Sequence, residues 1–115
     1  MKKIALFVFN GDPVCFIHVL LNGLDMKTKG MDGRIIVEGA ATALLPELAK
    51  PENPLHKLWE KAKSQGIVEG VWKGCAHKMG TAEEAANQGL ALLDDMSGHP
   101  AMSRYIEAGF DVVSF

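Results

Sequence analysis

Cys75 is the residue with the clearest potential for chemistry, and it lies in the stretch VWKGCAHKMG at positions 71–80. A short apolar run ends there, a glycine follows, and the thiol stands just before a predicted turn of helix. Backbone amides at the start of a helix favour the thiolate form of a cysteine, which is the nucleophilic form. The pattern therefore predicts thiol chemistry at Cys75, with a buried and inert cysteine as the alternative.

Three cations lie close to Cys75 in the sequence, namely Lys73, His77 and Lys78. A nearby positive charge favours a thiolate over a neutral thiol. We therefore predict that His77 and Lys78, together with the backbone at Gly74, form the binding surroundings of the thiol.

A second polar segment, Asn10, Gly11 and Asp12, separates the first apolar run from Pro13. It either lines a small-anion site at the start of the first helix or is a plain turn in which Asp12 caps that helix. The lysine and glycine spacing of a phosphate-binding loop is absent from it. Gly39, at the tight exit from the second predicted strand, completes the set of predicted binding residues.

The remaining polar residues give weaker signals. Cys15 lies among apolar neighbours and is predicted to pack in the core. Asp94 and Asp95 have no third carboxylate near them in the sequence and are predicted to lie in a solvated loop. The four histidines show no paired spacing, so we expect neither a metal site nor a cofactor.

Length and composition indicate one globular domain over residues 1–115. The net charge of −2 gives no electrostatic basis for binding nucleic acid. No stretch is long and apolar enough to span a bilayer, and the apolar run near the start is predicted to be a buried strand rather than a signal peptide. The two cysteines form no disulfide framework, which is typical of a cytoplasmic protein.

Strand and helix signals alternate along the chain. The predicted strands are Ile4–Phe9, Gly33–Glu38, Val68–Lys73, Leu90–Leu93 and Phe110–Phe115. The predicted helices run from Asp12 to about Lys27, over Ala43–Ala49, from Asn53 to Gly66, from Thr81 (a capping box) to about Gln88, and from Pro100 to Gly109 with Met102, Tyr105 and Ile106 facing inward. This alternation predicts a three-layer α/β/α fold with a five-stranded, mainly parallel sheet.

The carboxyl ends of the strands in such a sheet are where ligands bind. Four segments are predicted to meet at that edge: Asn10–Pro13, Glu38–Ala41, Gly74–Lys78 and Asp94–Pro100. The first helix has a separate feature, because Val14–Leu21 is apolar on nearly every side. One face of it can pack on the sheet, and the other is expected to be covered by a further subunit.

This arrangement resembles the DsrE/DsrF-like family of small sulfur-relay proteins. The resemblance covers most of the chain, and it depends on the order and spacing of the opening strand and turn (Ile4–Asp12), the strand and cysteine (Gly70–Cys75), the acidic-capped helix (Ala82–Asn87) and the ending (Gly98–Phe115). It implies the α/β/α fold, a trimer or hexamer, and a cysteine at the position of Cys75 that carries sulfane sulfur as a persulfide.

The resemblance therefore implies a possible sulfurtransferase whose partners are a sulfur donor and a sulfur acceptor protein. Two alternatives stay open from the residues alone: a non-enzymatic module that binds a small ligand at the strand ends, and a structural subunit of an oligomer. A response-regulator-like or flavodoxin-like domain is less favoured. A response regulator needs paired carboxylates in the first turn, and this turn contains only Asp12. A flavodoxin needs a phosphate-binding loop there, and this turn lacks one.

Overall fold

The protein is described here by a computed structural model that covers residues 1–94, 96 and 101–115. Five strands form one sheet: β1 (Lys3–Val8), β2 (Asp32–Val37), β3 (Val68–Trp72), β4 (Leu92–Leu93) and β5 (Asp111–Ser114). The strand order is β4-β3-β2-β1-β5, and every neighbouring pair is parallel. The predicted α/β class and five-stranded parallel sheet are confirmed.

Helices cover both faces of this sheet, as predicted. They are α1 (Pro13–Thr28), a 3-10 helix (Gly39–Leu44), α2 (Leu45–Leu48), α3 (His56–Ser64), α4 (Lys73–Lys78), α5 (Ala82–Asn87) and α6 (Met102–Glu107). None of the helices in the described part of the chain is long and apolar enough to cross a membrane.

The strand order explains how the helices are distributed. From β1 to β4 each step along the chain moves to the next strand in one direction, so right-handed crossovers place the intervening helices on one face. We call this the α1 face. The last connection returns across the sheet to the other side of β1, which places α6 on the opposite face, called here the α6 face.

Side chains alternate between these two faces along each strand. Leu6 and Val8 pack with the helices of the α1 face, in the larger core cluster around Phe16 and Trp59. Ala5 and Phe7 lie in the smaller cluster of the α6 face, where Tyr105 packs edge-on against Phe7 with ring centroids 5.6 Å apart. Because both faces are buried, the middle strands are continuous apolar runs, and this is why their positions were predictable.

The second and third predicted helices begin and end differently in the structure. The chain over Ala43–Ala49 is divided between the 3-10 helix and the four-residue α2, because Pro46 has no N–H to donate in a longer helix. The third helix begins at His56 and not at Asn53. Asn53 Oδ1 accepts a hydrogen bond from the Leu55 N–H at 2.8 Å, which makes a turn before the helix.

The region after β3 also departs from the prediction. β3 ends at Trp72, so Lys73 is the first residue of α4. The predicted capping box at Thr81 is not formed, because the Thr81 side chain makes no cap hydrogen bond to α5 and lies 3.5 Å from the Ala76 carbonyl. The fourth strand is two residues long and excludes Leu90 and Ala91.

The last helix was predicted to turn three side chains inward, and only Tyr105 is buried. Met102 is exposed, and Ile106 is 59% exposed, so these two assignments were wrong. Most of the predicted loop Asp94–His99, and the predicted start of the helix at Pro100, lie outside the described residues.

Candidate functional site

The carboxyl edge of the sheet brings together the ends of β1, β2 and β3. The Ala41 N–H donates to the Phe9 carbonyl at 3.1 Å, which joins the segment after β2 to the segment after β1. The Thr42 hydroxyl oxygen lies 2.8 Å from the Gly39 carbonyl oxygen and 3.4 Å from that of Cys75. These contacts place Cys75 beside the end of β2, at the edge where the sequence predicted it.

Cys75 is the third residue of α4 and is half-buried. Its carbonyl accepts the Met79 N–H at 2.9 Å, within the helix. In the first turn of any helix the N–H groups lack intrahelical acceptors, and Gly74 and Cys75 occupy that turn here. Cys75 is therefore held in a helical turn and is only partly buried, and access to the thiol is what thiol exchange requires.

His77 and Lys78 are exposed residues of the last turn of α4, whereas Cys75 is in the first. Within the described chain, no hydrogen bond or ion pair joins either of them to Cys75. Lys73 stands closer to the helix start and lies 3.5 Å from the Asp94 carboxylate, in an exposed ion pair. The predicted role of His77 and Lys78 as charges around the thiol stays a prediction.

The segment Asn10–Asp12 has a structural explanation in its own hydrogen bonds. Asn10 Oδ1 accepts the Asp12 N–H at 2.8 Å, and Asp12 Oδ1 accepts the Val14 N–H at 2.9 Å. Asp12 is thus the N-cap of α1, with Pro13 in the first helical position. Of the two predicted readings, a capped turn accounts for both side chains without a ligand.

Two glycines let these loops pack closely. Gly39 has φ +58°, a conformation that other residues rarely adopt, and a Cβ there would lie 3.1 Å from the Phe9 carbonyl oxygen. A Cβ on Gly11 would lie 3.2 Å from the Ala40 carbonyl oxygen. Both glycines therefore hold the edge together, and their predicted part in binding stays a prediction.

Glu38 lies in a segment that was predicted to meet this edge, but no role was predicted for it from the sequence. It directly follows β2 and is only 3% exposed. No hydrogen bond or ion pair of its carboxyl group occurs among the described residues. Burial raises the pKa of this carboxyl group from 4.5 to about 7, because the charged form loses its water. A buried acid that titrates near neutrality at a ligand-binding edge is a candidate functional group.

The strand registers show which side chains surround Glu38. Ile36 packs in the α6-face cluster and Val37 in the α1-face cluster, so the extended Glu38 (φ −145°, ψ 177°) points to the α6 face. Val37 is paired with Val8 of β1 and with Val71 of β3. The residues that follow these three are Glu38, Phe9 and Trp72, so Phe9 and Trp72 flank Glu38 on that face. The sequence contains a signal for this position. In the segment RIIVE (34–38), side chains alternate between the two faces of the strand, which places Glu38 on the same face as Ile36, at the strand end.

An apolar groove of about 300 Å³ lies between the starts of α1 and α3. It is lined by Pro13, Val14, Ile17, Asn53, Pro54 and Leu55. Val14 is 63% exposed, and Leu21 is exposed further along the same helix. The apolar helix surface that the sequence predicted to need a cover is therefore present and open on this chain.

Cys15 follows the groove residue Val14 in the sequence and lies in the first turn of α1. It is half-buried. Both cysteines are free thiols. Among residues 1–94, 96 and 101–115, no three histidine, cysteine or acidic side chains are grouped closely enough to hold a metal ion.

Comparisons with known proteins identify one relative over nearly the whole chain and another over part of it. The uncharacterized protein MJ0733 of Methanocaldococcus jannaschii is 30% identical over 96% of this chain and 93% of its own length. An uncharacterized protein of Archaeoglobus fulgidus is 37% identical over 37% of the chain and 70% of its own length. No family model matches the sequence.

A solved structure has the same fold. The conserved protein of unknown function BT1422 from Bacteroides thetaiotaomicron superposes with a TM-score of 0.68, covering 98% of this chain and 95% of that one. The sequence identity is 17%, so this likeness extends to the fold alone.

Proposed function

The chain belongs to the same family as the archaeal protein MJ0733, and we propose for it a sulfur-relay function in which Cys75 carries sulfane sulfur as a persulfide. The observation that carries the proposal is the position of Cys75, half-buried in the first turn of α4 at the carboxyl edge of a parallel sheet. The resemblance to the DsrE/DsrF-like family supports it, because the sulfur-carrying cysteine of that family matches Cys75.

The proposed step is a thiol exchange that needs no external oxidant. The Cys75 thiolate attacks the outer sulfur of a donor persulfide, R–S–SH. A new S–S bond forms on Cys75 Sγ while the S–S bond of the donor breaks, and the electron pair leaves on R–S⁻, which takes a proton from solvent. The outer sulfur keeps its own proton, so Cys75–S–SH is formed and can pass its sulfur to an acceptor thiol.

The test is intact mass spectrometry after incubation with glutathione persulfide, and separately with thiosulfate. We expect a gain of about 32 Da, the mass of one sulfur atom, on the wild-type protein. Cys75→Ser should remove this gain completely, whereas the matched control Cys15→Ser should keep it. No gain with either donor, or a gain that survives in Cys75→Ser, would reject the proposal.

A second candidate function is that of a subunit in a homo-oligomer, and the open groove beside Val14 favours it. We propose that a second copy of the chain covers this surface, since exposed apolar patches commonly mark interfaces. The resemblance implies a trimer or a hexamer. This role is compatible with sulfur transfer and also with a purely structural or ligand-binding protein.

Native mass spectrometry tests the assembly. We expect the wild type to be a trimer or a hexamer and Val14→Asp to be a monomer, because a charge at the interface loses its water without a partner. Ile106→Asp is the matched control: it also adds a charge at an exposed apolar position, but on the α6 face. A monomeric wild type, or a Val14→Asp variant that assembles normally, would contradict this role.

A further inference from the structure

Three side chains form a row across neighbouring strands where the α6 face meets the carboxyl edge: Phe9, Glu38 and Trp72. Their order follows from the registers of β1, β2 and β3, and Trp72 is itself paired with the buried Leu93 of β4. The row thus contains an acid between two aromatic rings. Phe9 is 37% exposed, so one end of the row reaches solvent.

The charged groups nearest along the chain have other partners. Arg34 lies two residues before Ile36 in β2, on the same face. Its guanidinium group donates hydrogen bonds to the carboxylates of Asp32 and Glu69. Lys73 pairs with Asp94. Lys3 and Arg104 also lie on the α6 face, over the rings of Phe110 and Tyr105. Among the described residues, no hydrogen bond or ion pair joins a cation to the carboxyl group of Glu38.

We propose that the row of Phe9, Glu38 and Trp72 is a binding site for a positively charged nitrogen group, an ammonium or a guanidinium, carried by a small molecule. The inference is independent of sulfur transfer and needs no reaction at Cys75. A bound cation supplies the positively charged partner that an ionised Glu38 lacks. The faces of aromatic rings also attract cations within about 6 Å. The ligand enters past Phe9, the exposed member of the row.

This site has a thermodynamic signature. Near pH 7 the buried acid holds its proton for part of the time, whereas a bound cation favours the carboxylate. Binding must therefore release protons, and by linkage a saturating cation must lower the pKa of Glu38. A site formed by apolar contact alone would leave that pKa where it is.

The experiment uses methylammonium chloride as the probe and methanol as its uncharged counterpart of similar size. The pKa of Glu38 is followed by carbon NMR of its carboxyl group, with sodium chloride at equal concentration as the control for screening. We expect saturating methylammonium to lower the pKa by about one unit, a tenfold preference for the ionised form, while methanol and sodium chloride leave it nearly unchanged. An equal fall with sodium chloride would overturn the proposal.

Two variants test which groups bind the probe. Glu38→Gln keeps the shape of the side chain and removes its charge, so we expect at least a tenfold loss of affinity for methylammonium, measured from the shift of the Trp72 indole signal. Phe9→Leu keeps an apolar side chain and removes the ring, with an expected several-fold loss. Unchanged affinity in Glu38→Gln would refute the site, even if the fold and the persulfide chemistry of Cys75 were intact.

Discussion

Glu38→Gln is expected to raise the free energy of unfolding at pH 8 by about 2 kcal/mol. The folded-state pKa of about 7 lies above the ordinary 4.5, so between these values the folded protein binds more protons than the unfolded chain. Stability is therefore lost as the pH rises from 4.5 through 7, and the shift corresponds to about 3 kcal/mol. Glutamine cannot ionise and avoids this loss, although its buried amide costs part of the gain.

Urea unfolding of both proteins at intervals from pH 5 to pH 8 measures the difference. The difference between the two stabilities should grow from pH 5 to about pH 7, where Glu38 is ionised in the unfolded chain but still largely protonated in the fold, and it should level off by pH 8. Glu83→Gln is the matched control, because Glu83 is an exposed acid in α5, and its stability curve should follow the wild type. Parallel curves for Glu38→Gln and the wild type would show that Glu38 keeps an ordinary pKa in the fold.

Gly70→Ala is expected to destabilise the protein by about 2–3 kcal/mol. A Cβ on Gly70 would lie 2.8 Å from the Ala91 carbonyl oxygen and 2.9 Å from Leu93 Cγ. The Ala91 carbonyl also accepts the Val71 N–H at 2.8 Å, so the first of these contacts is with backbone that the sheet already fixes. The methyl group must therefore push β4 away from β3, the strand it is paired with.

Gly33→Ala provides the comparison at a buried glycine of β2. A Cβ there meets the Met26 side chain, with Sδ at 3.0 Å, and a methionine can move aside. We expect a change of less than about 1 kcal/mol for this variant, measured by urea unfolding beside Gly70→Ala. If Gly70→Ala were as stable as Gly33→Ala, the close approach of β4 to β3 would be disproved.

The sequence was most informative where one local rule determined the structure. β1 and β2 each contain the apolar run that predicted them, and each strand begins and ends one residue earlier than predicted. α1 begins at Asp12 and Pro13 because a cap and a fixed φ both favour a helix there. The class of the fold followed from the alternation of such elements. Gly66 and Gly109, both with positive φ, follow the ends of α3 and α6 as predicted.

Prediction failed where long-range packing decides. Thr81 has the sequence of a capping box, but in the structure its side chain is buried and turned toward α4. Ile106 suits the inward stripe of a helix, but in the structure it is 59% exposed while Tyr105 is the buried residue of α6. Glu38 was placed at the correct edge, yet its burial depends on neighbours from β1 and β3, which local sequence does not reveal.

The position of β1 between β2 and β5 has a consequence for the order of synthesis. β2 is synthesised soon after β1. The other neighbour of β1 is β5, the last of the five strands along the chain, and the pairing of β1 with β5 joins Ile4 to Asp111. Until β5 leaves the ribosome, the backbone N–H and C=O groups along one edge of β1 therefore stay unpaired and can pair with another chain. The pairing of β1 with the edge strand β5 is consequently the part of the sheet that the growing protein completes last.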